Sequence, residues 1–172
     1  MNEYSELKSL HAISSDQQDY LALLNNLAEW GDPVSQHDLG ALYLEGRDVP
    51  LDYAQAIKWH LLAAEQGYAA SQHDLGVIYA EGLGVSQDSA HAAEWFAKSA
   101  AQGDGNAQNN LAILYATGDG VSLDLLKAYM WFTLAIQNGV MDALENREIA
   151  SEQMSHAQIK QALEMVEKWQ KE

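Results

Sequence analysis

A chain of 172 residues is long enough for one globular domain or one short repeat array with a real core. Its 9 Lys and Arg against 25 Asp and Glu give a formal net charge of −16, which disfavours binding to nucleic acids and to anionic membrane surfaces. Without cysteine the chain has no disulfide, no thiolate zinc site and no cysteine nucleophile, while 48% apolar residues predict that it folds.

The N-terminal stretch MNEYSELKSLHAISSDQQDY carries acidic residues, no basic cluster and no long apolar run. It therefore does not have the pattern of a secretory signal. No part of the chain approaches the roughly 18 consecutive apolar residues of a membrane span. We expect a cytoplasmic protein, and a periplasmic one only if a leader has been removed.

The first 32 residues predict a degenerate helix hairpin. A short helix is expected in EYSELKSLHAI and a second one in DQQDYLALLNNLAEWG. Asp16 and Gly31 lie 36 residues before Asp52 and Gly67, which occupy the start and the end of a helix in the repeats that follow.

Three blocks of 36 residues then align without a gap, at residues 33–68, 69–104 and 105–140. The phrase SQHDLG occurs in the first two blocks and becomes AQNNLA in the third. A fixed period of this length is the signature of a solenoid of stacked supersecondary units. The columns that keep one residue type are Leu39/Leu75/Leu111, Tyr43/Tyr79/Tyr115, Gly46/Gly82/Gly118, Val49/Val85/Val121, Asp52/Asp88/Asp124, Ala56/Ala92/Ala128, Trp59/Trp95/Trp131 and Gly67/Gly103/Gly139.

Each block predicts two helices. In the first block, Leu39 and Tyr43 form an apolar stripe, and Gly40 on that stripe lets a neighbouring helix approach closely. Gly46 is expected to end the helix in a left-handed turn, and Asp52 is expected to cap the second helix. The tryptophan column is predicted to pack in the core between hairpins.

Residues 141–172 predict C-terminal capping helices. Ser155 and Gln158 form a capping-box pattern ahead of a new apolar stripe, whereas the Leu, Tyr and Gly columns stop. The whole chain, 1–172, is therefore predicted to be one all-α repeat domain of about five hairpins and about ten helices.

The repeated phrase resembles the Sel-1-like repeat, a relative of the tetratricopeptide repeat. The second block carries the motif at Leu75, Gly76, Tyr79, Gly82, Gly84, Val85, Asp88, Ala92, Trp95 and Gly103. The third block departs from it at Ala112 and the first at Asp48, where the turn between the helices is expected to differ. The end of the chain also resembles the closing helix pair of bacterial members. The resemblance implies a right-handed α/α superhelix whose concave side binds proteins or peptides without catalysis.

Histidines and carboxylates do not predict a reaction centre. His37 and His73 are equivalent positions of stacked hairpins, about 10 Å apart by helix packing distances, and therefore do not converge on one metal ion. No metal and no cofactor is expected. The other histidines are predicted to lie at the surface or to be partly packed; they are His11, His60, His91 and His156. The stretches GLGVS and GDGVS are predicted to be turns between helices rather than phosphate loops.

By analogy with tetratricopeptide repeats, the concave lining comes from the first helix of each block. The predicted partner-binding residues are Val34, His37, Asp38, Ala41, Leu44, Glu45, Ala70, His73, Asp74, Val77, Ala80, Glu81, Asn106, Asn109, Asn110, Ile113 and Ala116. Because this lining and the chain are acidic, the expected partner is a protein segment carrying Lys or Arg. The repeated His-Asp pairs have two open explanations, a binding role or recent duplication. A small-ligand binder or hydrolase using the concave cleft, and an immunity-type partner of a toxin or effector, are the alternative functions.

Overall fold

The computed structural model describes residues 15–171. Within that range every regular element is an α-helix and no strand occurs, which confirms the predicted all-α fold. The helices are α1 (Ser15–Glu29), α2 (Pro33–Glu45), α3 (Tyr53–Glu65), α4 (Ala69–Glu81), α5 (Ser89–Ala100), α6 (Gly105–Thr117), α7 (Leu125–Gln137), α8 (Ala143–Glu152) and α9 (His156–Trp169). The helix predicted in EYSELKSLHAI lies outside the described residues.

The chain divides into two compact units, residues 1–63 and 64–172, and each is described by itself. The N-terminal unit packs α1 against α2. Its core consists of buried apolar side chains, namely Leu24, Ala28, Leu39, Leu42 and Trp59. The organisation of 1–172 as a single domain stays a prediction.

The C-terminal unit packs each helix against the next from α4 to α8, and α9 returns onto α7. One contiguous core joins these helices, with Phe96, Leu111 and Phe132 among its most deeply buried members. The first helices of successive hairpins also touch, α4 with α6 and α6 with α8. This places α4, α6 and α8 side by side on one face.

Local chemistry fixes the helix ends as predicted. Asp52, Asp88 and Asp124 each accept a hydrogen bond from the backbone N–H three residues later, at 3.0–3.1 Å. Such capping satisfies donors that the helix itself leaves unpaired. The capping box of Ser155 and Gln158 is also present.

Left-handed glycines end the first helices, as expected. Gly46, Gly82 and Gly118 have φ of 65°, 72° and 74°. Asp48 adopts φ 63°, close to the 72° and 70° of Gly84 and Gly120, its equivalents in the other two blocks. The altered turn expected at Asp48 is therefore not seen at this angle, because aspartate tolerates the left-handed region better than most residues.

Close helix approach explains the glycines inside the first helices. A Cβ at Gly40 would lie 2.9 Å from the His60 ring, and one at Gly76 would overlap the ring of Phe96. His60 thus occupies the aromatic column that Phe96 and Phe132 continue, 36 residues apart. Since His60 is fully buried, the prediction that it lies at the surface or is partly packed is wrong.

The tryptophan column is only partly in the core. Trp59 and Trp131 are 7% and 6% exposed, as predicted. Trp95 is half-buried, and the Lys98 ammonium lies 3.8 Å from the centroid of its ring. The charged group covers the open face of this ring and is attracted by its electron density.

A column of buried glutamines joins each first helix to the end of the helix before it. Gln36, Gln72 and Gln108 each donate from Nε2 to the carbonyl oxygen eight residues earlier, at 3.0–3.1 Å. In the C-terminal unit the glutamine oxygens accept in turn, Gln72 from Gln102 at 2.7 Å and Gln108 from Asn138 at 2.9 Å. We call Gln36, Gln72 and Gln108 the amide column. Its buried polar atoms are satisfied, as a stable interior requires.

Candidate functional site

The face formed by α4, α6 and α8, here the α4–α6–α8 face, carries two pockets on either side of Ile113. The pocket between α4 and α6 has a volume of about 200 Å³ and is lined by Val77, Ala80, Glu81, Phe96, Asn110, Ile113 and Leu114. The pocket toward α8 has a volume of about 260 Å³ and is lined by Ile113, Ala116, Thr117, Leu125, Phe132, Asn146, Ile149, Ala150 and Gln153. The predicted residues Val77, Ala80, Glu81, Asn110, Ile113 and Ala116 thus line pockets on this face.

An apolar stripe runs along the α4–α6–α8 face. Val77, Ile113 and Ile149 follow one another at intervals of 36 residues. Ile113 is 36% exposed, Ile149 is 52% exposed and Val77 is half-buried. The stripe therefore offers water-exposed apolar surface that a partner can cover.

Sequence reasoning missed the part of the face that α8 provides, including Asn146, Ile149 and Gln153. Residues 141–172 were expected to be a cap because the Leu, Tyr and Gly columns end there. The 36-residue register nevertheless continues, since Ala107 and Ala143 are equivalent and both fully buried. Extending the alignment by one period would have found these residues.

His73 joins two hairpins on this face. Its Nδ1 lies 3.2 Å from the Oδ1 of Asp74, and its Nε2 lies 3.4 Å from the Nδ2 of Asn110 on α6. The ring packs on Phe96 with centroids 5.8 Å apart. The sequence-predicted residues His73, Asp74 and Asn110 are thus brought together.

The pKa of His73 lies above its ordinary value of 6.5. Burial is the largest influence and disfavours the charged ring, but the hydrogen bond to Asp74 and the charges of Asp74 and Asp104 outweigh it. Because the pKa of His73 is higher in the folded than in the unfolded chain, protonation of its ring stabilises the fold. This contribution is fully present below about pH 6.5, the pKa of histidine in the unfolded chain. This contribution is lost as the pH rises through the folded pKa.

Replacing Asp74 by asparagine is expected to lower the pKa of His73, since the opposing effect of burial remains. An NMR titration of the His73 Cε1 proton measures this directly. Asp142→Asn is the matched control, because Asp142 is exposed and is not among the groups that raise this pKa. An unchanged His73 titration in Asp74→Asn would contradict the assigned cause.

The remaining predicted residues of the C-terminal unit differ in exposure. Asn106 is exposed and Ala70 is half-buried. The Oδ1 of Asn109 is buried, and among the described residues it has no hydrogen-bond partner. Asn109 is therefore less available to a partner than the sequence suggested.

In the N-terminal unit, the equivalent positions lie on α2. Val34 is 47% exposed and Glu45 is exposed, while Asp38, Ala41 and Leu44 are half-buried. The rings of His37 and His60 meet edge to face with centroids 5.4 Å apart, so that His37 covers the buried ring.

The lining of the two pockets suits binding more than acid–base chemistry. Among the described residues that line them, Glu81 is the one ionisable side chain. Acid–base catalysis generally needs a second group in reach of the same substrate. The amide groups of Asn110, Asn146 and Gln153 both donate and accept hydrogen bonds, as the backbone of a bound peptide requires.

Across residues 15–171, none of the helices has both the length and the apolar character that a membrane span needs.

Comparison with known proteins agrees with this architecture. The Sel1 repeat family matches residues 33–68, 69–104 and 105–140. A Sel1 repeat protein from Oxalobacter formigenes is 33% identical with a TM-score of 0.69, over 74% of this chain and 96% of its own. No curated protein shows detectable similarity.

Two further solved structures share the fold. The protective antigen c5321 of uropathogenic Escherichia coli strains, which displays an SLR fold, is 34% identical with a TM-score of 0.69. The match covers 84% of this chain but only 33% of c5321, so this chain corresponds to about a third of that protein. Cysteine rich protein B of Helicobacter pylori is 18% identical with a TM-score of 0.62, over 78% of this chain and 96% of its own, and it supports the fold alone.

Proposed function

Because the chain belongs to the Sel1 repeat family, we propose that it is a non-catalytic interaction module whose α4–α6–α8 face binds a protein segment. Sel1 repeat proteins generally mediate protein–protein interactions. The observation that carries the proposal is the apolar stripe that lines the two pockets, in which Val77 is half-buried and Ile113 and Ile149 are exposed. The cytoplasmic location stays a prediction from the sequence.

The pockets and amides support an extended or helical segment as the ligand. Two apolar side chains of the segment would fill the pockets on either side of Ile113. Asn110 and Asn146, equivalent positions on α6 and α8, would hydrogen-bond to its backbone or polar side chains. Recognition by side-chain pockets and hydrogen bonds along an elongated ligand is a common mode of peptide binding.

The negative charge of the protein supports a ligand segment that carries Lys or Arg. Asp74 and Glu81 lie on α4 beside the first pocket, and no Lys or Arg lines either pocket among the described residues. The net charge of −16 adds a long-range attraction for cationic partners. Asp38 and Glu45 are the corresponding acidic positions in the N-terminal unit, and their role in binding stays a prediction from the sequence.

The test is a selection of displayed random peptides on the full chain, followed by titration of the selected peptides. Ile113→Glu is expected to weaken binding about tenfold or more, since truncating or charging a central anchor typically costs more than 1 kcal/mol. Leu163→Glu on α9 is the matched control, because Leu163 is 42% exposed against 36% for Ile113 and lines neither pocket.

The proposed preference for a cationic segment is tested by the composition of the selected peptides and by the salt dependence of their binding. Selected peptides are expected to be rich in Lys and Arg and to bind more weakly as salt rises. Binding that ignores both Ile113→Glu and the combined Asp74→Ala and Glu81→Ala replacement would reject this face as the site.

A further inference from the structure

A third pocket, away from the α4–α6–α8 face, lies where α9 returns onto the C-terminal unit. It has a volume of about 340 Å³ and is contributed by α6, α7 and α9. Its walls are three aromatic rings, two methionines and two lysines, and none of these residues lines the other two pockets.

Two aromatic walls of the pocket contact each other, and one is more exposed than the other. Trp131 is 6% exposed, whereas Trp169 is 36% exposed. The two rings meet edge to face with centroids 4.9 Å apart. Met130 and Met165 complete the lining, and their flexible, polarisable side chains adapt readily to flat ring systems.

The charge of this pocket is opposite to that of the molecule. Two of the nine basic residues, Lys127 and Lys168, line it, and no carboxylate does so among the described residues. Asp124 contacts one of the two lysines, since its Oδ2 lies 3.7 Å from the Nζ of Lys127. The other oxygen of Asp124 caps α7 by accepting from the Lys127 N–H at 3.1 Å.

Both lysines are held close to the apolar walls. The Lys127 ammonium lies 4.9 Å from the centroid of the Tyr115 ring, which is partly buried. Lys168 lies in the last turn of α9, where the negative end of the helix dipole favours a cation. A loose ion pair 3.7 Å long leaves Lys127 able to exchange Asp124 for a second anion.

We propose that this pocket binds a small organic anion with an aromatic body, such as an aryl carboxylate. The aromatic ring packs in the cavity against the Trp131–Trp169 pair and the two methionines, and the carboxylate binds the ammonium groups of Lys127 and Lys168. Small-molecule sites typically combine a mostly apolar lining with a few polar groups that set orientation. The two lysines give this pocket the local positive charge that favours an anion over a cation.

The experiment uses the full chain and two probes with the same ring and opposite charge, 1-naphthylacetate and 1-naphthylmethylamine. Calorimetric titration is expected to show binding of the acetate and much weaker binding of the amine. The chain contains 5 tryptophans, so labelling with 5-fluorotryptophan gives one ¹⁹F signal for each, assigned by single Trp→Phe replacements. The acetate should shift the signals of Trp131 and Trp169.

Two variants test the lysines and the cavity separately. The double variant Lys127→Met, Lys168→Met keeps most of the apolar part of both side chains. It is expected to weaken binding of the acetate about two- to thirtyfold, which is the loss of affinity expected from removing two partly exposed ion pairs. Lys160→Met, on α9 but outside the pocket and 80% exposed, should leave affinity unchanged. Met165→Trp fills the cavity and should abolish binding even if the lysine variant fails to fold.

Four results of the binding experiments would overturn the proposal. They are equal binding of the two probes, no binding up to the solubility of the acetate, ¹⁹F shifts confined to the other tryptophans, and indifference to Met165→Trp. Self-association in sedimentation that Trp169→Ala removes would assign the pocket to a second copy of the chain, and would also overturn it. Peptide binding at Ile113 is measured separately, so failure of either proposal is recognised independently.

Discussion

Replacing Gly120 by alanine is expected to lower the free energy of unfolding by about 2–5 kcal/mol, the sum of left-handed strain and overpacking. Gly120 has φ 70°, and a Cβ there would lie 2.5 Å from the backbone nitrogen of Ala90 and would overlap the Ser89 carbonyl group. Backbone atoms at the start of α5 cannot swing away as a flexible side chain would. The turn between α6 and α7 must therefore move, and urea denaturation measures the loss.

Gly103→Ala separates the two causes. Gly103 has φ 90° and nothing within 4 Å of an added Cβ, so it has the backbone strain without the clash. Its expected cost is about 1–2 kcal/mol. Equal destabilisation of the two variants would show that close approach at Gly120 is unimportant.

Replacing Phe132 by alanine is expected to cost about 3–5 kcal/mol, as for other large aromatic residues removed from a core. Phe132 is 1% exposed and lies in the contiguous core of the C-terminal unit. Deleting its ring would also enlarge the pocket between α6 and α8, which it lines. Thermal and urea unfolding of the purified variant check the stability.

Leu163→Ala provides the comparison for Phe132→Ala. Leu163 is 42% exposed on α9, and surface replacements of this kind usually stay within about 0.5 kcal/mol of the wild type. A Phe132→Ala variant as stable as Leu163→Ala would mean that the hairpins repack around the lost ring.

Features set by local chemistry were predictable from the sequence. Asp88 caps α5 and Gly82 ends α4 because neighbouring backbone groups alone demand an acceptor and a left-handed residue there. The burial of His60 was not predictable in this way. It depends on the missing side chain of Gly40 on another helix, and its sign in the sequence is the 36-residue register, which places His60 in the column of Phe96 and Phe132.

The same distinction applies to the candidate sites. Val77 and Ile113 were found because they lie within the clean repeats, whereas Ile149 follows them in register after the motif has faded. The pocket lined by Trp131 and Trp169 has no sequence signal of this kind. The two rings are 38 residues apart, outside the 36-residue period, and meet only because α9 returns onto α7.

The amide column has a consequence for how such a chain can lengthen or shorten. Gln108 donates to a carbonyl eight residues before it and accepts from Asn138, thirty residues after it, and Gln72 has the same two partners one period earlier. Each of these 36-residue units thus brings the glutamine that donates to a carbonyl of the unit before it, together with the side chain that donates to that glutamine. Whole units can be duplicated or deleted in evolution while each glutamine of the amide column keeps a hydrogen-bond partner. Gain or loss of part of a unit would leave a buried polar group without its partner.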